Sequence, residues 1–178
     1  TFKILYNDAV AMTGGQKAIG GATPWAISKQ LSAEGVKKTF VVSDEPEQFQ
    51  ETRLFADGVE IFHRDDLIKV QKEVRSIEGV TAIIYVQTCA TELRRRRKRG
   101  LVADREIKMF INPDVCEGCG DCAEKSNCVA VKPFDHFDGT KRQIDQSVCN
   151  KDYSCSKGFC PSFMGVTLDK TFQPSKKQ

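Results

Sequence analysis

Hydrophobic residues cluster in short runs through the first half of the chain and thin out through the second. Phe2-Lys-Ile-Leu-Tyr6, Lys38-Thr-Phe-Val-Val-Ser43, Glu60-Ile-Phe-His63 and Val80-Thr-Ala-Ile-Ile-Tyr-Val86 have the β-rich composition and length of strands. Between them, Thr23 can cap a helix with Pro24 at its first position, and Trp25, Ile27, Ser28 and Leu31 follow at helical spacing until Gly35. From Asp65 to Ile77, Leu67, Val70 and Val74 share one helical face. Strands alternating with helices in this way predict an α/β domain with a parallel sheet over residues 1–100, with Tyr6, Trp25 and Phe40 in its core. Ile107-Lys-Met-Phe-Ile111 then opens a second domain, 101–178. That part is too poor in aliphatic residues to fold on burial alone, and small domains of this kind are stapled by disulfides or metal.

Charge changes the picture little. The 178 residues are 40% hydrophobic with a formal charge of +3, and Arg94-Arg95-Arg96-Arg97-Lys98-Arg99 supplies six positive charges of its own. The remainder is slightly acidic, so no general nucleic-acid surface is expected. The basic run reads as a solvated, flexible face crossing between domains, or else as a contact for an acidic partner or phosphates. No apolar stretch approaches the ~20 residues of a membrane span, and no leader opens the chain, so a reducing cytoplasm and no membrane partner are expected. The chain begins at Thr1 in a strand-like run and reads as a piece of a longer protein, assembled with its remaining domains or subunits.

Seven of the eight cysteines lie between Cys116 and Cys160. The first group is Cys116-x2-Cys119-x2-Cys122-x5-Cys128; the second is Cys149-x5-Cys155-x4-Cys160-Pro161, and the polar stretch Asp135 to Gln146 separates the two halves of this pseudo-repeat. Iron–sulfur proteins of the bacterial ferredoxin type use C-x2-C-x2-C-x3-C-P twice, and the fourth cysteine of each run binds the other cluster. That rule assigns one 4Fe–4S cluster to Cys116, Cys119, Cys122 and Cys160. The other falls to Cys149, Cys155 and Cys128, with the missing position at Asp152. Asp152 or water completes this second cluster, or Cys89 supplies an eighth thiolate. Oxygen is a poorer partner than thiolate for such iron, so the second cluster is expected to lose one iron and become 3Fe–4S. Cys89 reads as a buried, inert thiol. Zinc suits separated cysteine pairs better than this triplet, and a disulfide knot needs an oxidising compartment. His63 and His136 read as exposed.

The glycine-bearing loop Asn7 to Gly21 follows the first strand directly. It reads either as a strand-end turn or as a ligand loop at the carboxyl end of a parallel strand, where Asn7 and a nearby backbone carbonyl offer hard oxygens to a Mg²⁺ that grips a diphosphate.

Asn7-Asp-Ala9-Val-Ala-Met12-Thr13-Gly14-Gly15-Gln16, Gln87-Thr-Cys-Ala-Thr-Glu92, Ile144-Asp-Gln146 and the cysteine run together resemble the indolepyruvate ferredoxin oxidoreductases, a branch of the thiamine-diphosphate-dependent 2-oxoacid:ferredoxin oxidoreductases. The resemblance covers nearly the whole chain. It implies the C-terminal part of a thiamine-diphosphate-binding α/β domain followed by a small α+β ferredoxin-like domain with two 4Fe–4S clusters. It also implies that the Asn7 side chain and the Ala9 carbonyl ligate Mg²⁺, while Met12, Thr13, Gly14, Gly15 and Gln16 lie near the diphosphate and thiazolium. The activity implied is oxidative decarboxylation of an aryl 2-oxoacid to acyl-coenzyme A and CO₂, with electrons leaving singly through the clusters to an external ferredoxin. The alternatives are a stand-alone electron-transfer module whose α/β half docks a partner, and a regulatory iron–sulfur protein using the basic run on nucleic acid.

Overall fold

The computed structural model describes residues 1–7, 9–10, 16–17, 20, 22–49 and 51–167. These form two compact units, Thr1–Leu93 and Arg94–Gln178.

In the first unit, β1 (Phe2–Tyr6) is followed by two short antiparallel strands, β2 (Ala9–Val10) and β3 (Gln16–Lys17), then by α1 (Pro24–Ala33), β4 (Lys38–Ser43), β5 (Glu60–His63), α2 (Leu67–Ser76) and β6 (Thr81–Val86). Four strands make one sheet in the order β1-β6-β4-β5, every neighbouring pair parallel. Central β4 and β6 are almost wholly buried, as their unbroken apolar runs require of a sheet covered on both faces.

Alternation along the strands sorts the core into two layers. Phe40, Val42 and Ile83 meet Val70 and Val74 of α2, while Val41, Ile84 and Val86 meet Trp25, Ile27 and Leu31 of α1, together with Tyr6 and Phe55. Each fully buried Val, Ile or Phe contributes about 1.5–3 kcal/mol. The Thr23 hydroxyl caps α1 by accepting from Ala26 N at 3.3 Å, with Pro24 in the first turn as expected. Two 3₁₀ turns, Pro46–Phe49 and Thr52–Leu54, carry Phe49 and Phe55 into the α1 layer, an addition that no periodicity announced.

A helix absent from the sequence reading, α3 (Ala90–Lys98), contains the basic run, and the division between the units falls inside it rather than after residue 100. The second unit continues with β7 (Ile107–Ile111), α4 (Asp121–Ser126), β8 (Val131–His136), β9 (Gly139–Ile144), a 3₁₀ turn at Ser154–Ser156 and β10 (Phe163–Thr167). The polar stretch from Asp135 to Gln146 is therefore largely strand: β8 and β9 form an antiparallel hairpin, and β7 pairs antiparallel with β10. Asp135, Asp138, Thr140 and Gln143 face solvent on a two-stranded ribbon, which hides the alternation used to read strands. The small core beneath holds Ile111, Ala130, Val131 and Ile144 together with Cys116 and Cys155. Among the described residues no helix is long and apolar enough to cross a membrane.

Candidate metal centre

The second unit is an internal repeat, visible bond by bond. Ile111-Asn112-x-x-Val115-Cys116 matches Ile144-Asp145-x-x-Val148-Cys149. In the first, Val115 N and Cys116 N donate to Asn112 O at 3.3 and 3.0 Å; in the second, Val148 N and Cys149 N donate to Asp145 O at 3.3 and 3.1 Å. Asn112 Oδ1 accepts from Asp114 N at 3.0 Å, as Asp145 Oδ1 accepts from Ser147 N at 2.9 Å. The halves then exchange partners: Asn112 N donates to Ser162 O and Asp145 N to Ala130 O, both at 2.8 Å. Cys160, two residues before Ser162, thus belongs with the first loop, and Cys128, two before Ala130, with the second.

The thiols follow this interleaving. Cys116, Cys119, Cys122 and Cys160 line one cavity of about 170 Å³ with Ile111, Val115 and Pro161, and Cys155 borders it as well. Burial pushes the Cys122 thiol above the ordinary value, and the neighbouring Cys116, Cys119 and Cys160 sulfurs add to this against a backbone hydrogen bond from Ala123. Cys155 is pushed up to about 11 by burial and then by Cys128, Cys149 and the Asp152 carboxylate. The sulfur neighbours of Cys122 and of Cys155 coincide with the members of the two sets read from the spacing. Among the described residues no three Cys, His, Asp or Glu side chains converge as donors to a single ion would. A tetrahedral zinc site brings all four donors onto one atom, whereas an iron–sulfur cube takes one thiolate at each of four irons. None of the eight cysteines is in a disulfide.

Backbone geometry fits the same group. Gly118 N points at Cys116 Sγ and Lys151 N at Cys149 Sγ, each at 3.4 Å, the kind of amide that stabilises a metal-bound thiolate. Gly118 and Gly120 have φ of 72° and 84°; Lys151 and Tyr153, their counterparts, hold φ of 56° and 59° without being glycine. A Cβ on Gly118 would collide with the Thr140 carbonyl oxygen. Cys119 and Asp152 fall at matching places between these residues, both exposed. Asp152 Oδ1 accepts from Ser154 N at 3.2 Å and Ser154 Oγ at 3.0 Å.

Three features escaped the sequence reading. Ser162, 1% exposed, places its hydroxyl 3.0 Å from Cys160 Sγ, while its counterpart in the repeat is Ala130. Arg142 lines the first cavity with its Nε buried and without a hydrogen-bond partner among the described residues. The arginine run is only partly a solvated face: Lys98 and Arg99 are exposed, while Arg94 to Arg97 are half-buried on α3 and the guanidiniums of Arg94 and Arg97 meet backbone carbonyls of the second loop. Arg94 Nη1 donates to Val148 O at 3.0 Å and to Asn150 Oδ1 at 2.6 Å, and Arg97 Nη1 to Asn150 O at 2.6 Å. Position in the repeat would have found Ser162; nothing in the local pattern marks Arg142.

Other expectations fare unevenly. Asn7 is half-buried just past the carboxyl end of β1, and Ala9 pairs with Lys17 across the short ribbon that also carries exposed Gln16. Met12, Thr13, Gly14 and Gly15 lie outside the described residues. The Asn7 amide oxygen and the Ala9 carbonyl together are far short of the six ligands Mg²⁺ demands. Cys89 is half-buried rather than buried, at the entrance to α3. His63 is partly exposed and accepts from Asp65 N, whereas the His136 side chain is only 14% exposed, because Asp114, Asp138 and the Phe137 ring surround it.

No family model matches the chain, and no solved structure matches it. Three curated proteins do, each named indolepyruvate oxidoreductase subunit IorA. The one from Thermococcus kodakarensis is 26% identical over 163 residues, covering 89% of this chain and 22% of that protein. The Pyrococcus abyssi protein is 28% identical over 169 residues with the same coverage, and the Archaeoglobus fulgidus protein 29% over 108 residues, covering 61% and 16%. The chain spans about a fifth of the length of these relatives. Along most of its length, then, this chain is similar to part of the IorA subunit of indolepyruvate oxidoreductases.

Proposed function

We propose that the chain carries the electron-transfer end of a cytoplasmic oxidoreductase that converts aryl 2-oxoacids to acyl-coenzyme A and CO₂ and passes the electrons to an external ferredoxin. Two iron–sulfur clusters sit in its ferredoxin-like second unit. Cys116, Cys119, Cys122 and Cys160 hold the first; Cys128, Cys149 and Cys155 hold the second, with Asp152 at the fourth iron. When bound, each cluster accepts and releases one electron at a time. The protein sets its environment: Gly118 N and Lys151 N donate to cysteine sulfurs, Ser162 Oγ donates to the Cys160 thiolate, and the small core excludes water from Cys116 and Cys155. Hydrogen bonds and positive charge favour the more negative, reduced state. The single observation that supports this reading is the partner exchange in the repeat, which brings the segment after Cys160 to the first loop and the segment after Cys128 to the second.

Thiamine diphosphate and Mg²⁺ belong to this proposal through the resemblance alone. Asn7 and the Ala9 carbonyl would supply two of the metal's oxygens, and residues outside this chain the others.

Anaerobic reconstitution tests the reading. A brown protein with about eight irons per chain, and a low-temperature paramagnetic signal on reduction, is expected. A colourless protein that takes up zinc instead would sink it. With the full-length protein, aryl 2-oxoacid and coenzyme A should reduce ferredoxin; binding of clusters without thiamine binding would leave the stand-alone electron carrier as the function.

A further inference from the structure

The basic run on α3 has no part in the reading above, yet two of its guanidiniums, those of Arg94 and Arg97, reach the second cysteine loop. Val148 and Asn150, which flank Cys149, are half-buried and take donors from Arg94 and Arg97. Their counterparts in the repeat, Val115 and Glu117, are exposed. The chain that follows α3 grips the same loop. Lys151 Nζ pairs with Asp104, Tyr153 Oη donates to Ile107 O at 3.0 Å, and the Arg105 guanidinium lies 5.2 Å from the centre of the Tyr153 ring.

Lys151 and Tyr153 are the two non-glycine residues held at positive φ in this loop, a conformation that costs of order 1–3 kcal/mol each. Both are tied down by residues 104–107, and the carbonyls beside Cys149 are tied down by Arg94 and Arg97. A guanidinium fork holds such a geometry better than an ammonium.

We propose that Arg94 and Arg97 are positioning residues of the second iron–sulfur cluster, fixing the Cys149–Cys155 loop around a ligand set short of one thiolate and setting that cluster's potential through two positive charges. The inference rests on the cluster reading. Adding an electron makes a cluster more negative, so cations hydrogen-bonded beside Cys149 raise its reduction potential.

The test is a redox titration of the whole reconstituted chain followed by paramagnetic resonance, with the first cluster as internal reference. Arg94→Gln and Arg97→Gln should each lower the second cluster's midpoint and leave the first unmoved. They should also weaken its hold on iron about tenfold under chelator challenge, as loss of hydrogen-bond partners around metal ligands does. Arg94→Lys and Arg97→Lys keep the charge and lose the fork, so the midpoint should stay near the wild-type value while iron retention falls. Equal shifts of both clusters, or an unmoved second midpoint in the Gln variants, would overturn the proposal while the cluster reading stands. A wild-type chain that loads no cluster would remove both. If the Gln variants fail to fold, the Lys pair decides: iron retention equal to wild type refutes the positioning role.

Discussion

The two cysteine loops of the second unit have one backbone and two ways of enforcing it. In the first, Gly118 and Gly120 adopt left-handed backbone with little strain, so the loop needs little outside help and leaves Val115, Glu117 and Cys119 exposed. In the second, Lys151 and Tyr153 take the same conformation against their own preference, and α3 with residues 104–107 holds them there. A conformation can thus be written locally, in residue type, or imposed from a distance by hydrogen bonds that outweigh the local cost. The second loop also carries Asp152 where the first carries Cys119, so under the proposed ligation the more heavily supported scaffold would surround the weaker ligand set.

The comparison breaks most sharply at Gly118. Gly118→Ala drives a Cβ into the Thr140 carbonyl at positive φ and should destabilise the second unit by about 3 kcal/mol, seen in denaturant unfolding, with loss of the first cluster. At the matching place Lys151→Gly should stay within about 1 kcal/mol of wild type, because relieved strain offsets the lost Asp104 pair. Equal costs at the two positions would mean that the loops are enforced alike.

A smaller effect is expected from exchanging the ligands that differ. Asp152→Cys should slow iron loss from the second cluster about tenfold after mild oxidation, and Cys119→Asp should make the first cluster correspondingly labile. Unchanged iron retention in Asp152→Cys would show that Asp152 does not face the fourth iron.

The smallest effect concerns acid. The turn before the first loop is closed by an amide, Asn112, and the turn before the second by a carboxylate, Asp145. A hydrogen bond from Lys132 Nζ at 2.5 Å, and then those from the Ser147 hydroxyl and amide, hold the Asp145 carboxyl well below the ordinary carboxylate value. A carboxylate whose folded value is depressed adds stability that is fully present above the unfolded value of 3.8 and is lost as pH falls through the folded one. Acid should therefore loosen the turn before Cys149 first. Amide hydrogen exchange at Ser147 should quicken as pH falls below that value, and Asp145→Asn should abolish the pH dependence without touching exchange at Asp114.

Much of the fold was legible in the chain. Runs such as Lys38-Thr-Phe-Val-Val-Ser43, and the Thr23-Pro24 start of α1, carry their structure in local composition, since central parallel strands must be apolar on both faces and helix ends must satisfy their own amides. The hairpin from Val131 to Ile144 was not legible, because Lys132, Asp135, Thr140 and Gln143 face water on a ribbon with little core to mark one side.

For the candidate centre the division is similar. Cysteine spacing alone put Cys116, Cys119 and Cys122 around one point and placed Asp152 opposite Cys119, because short separations fix where a thiolate can reach. Which carbonyls Arg94 and Arg97 would meet, and that Arg142 would line the first cavity, were settled only in three dimensions. Those contacts join residues about fifty apart along the chain, or join strands whose pairing no local signal announces, and a long polar side chain has no preferred partner until folding brings one within reach.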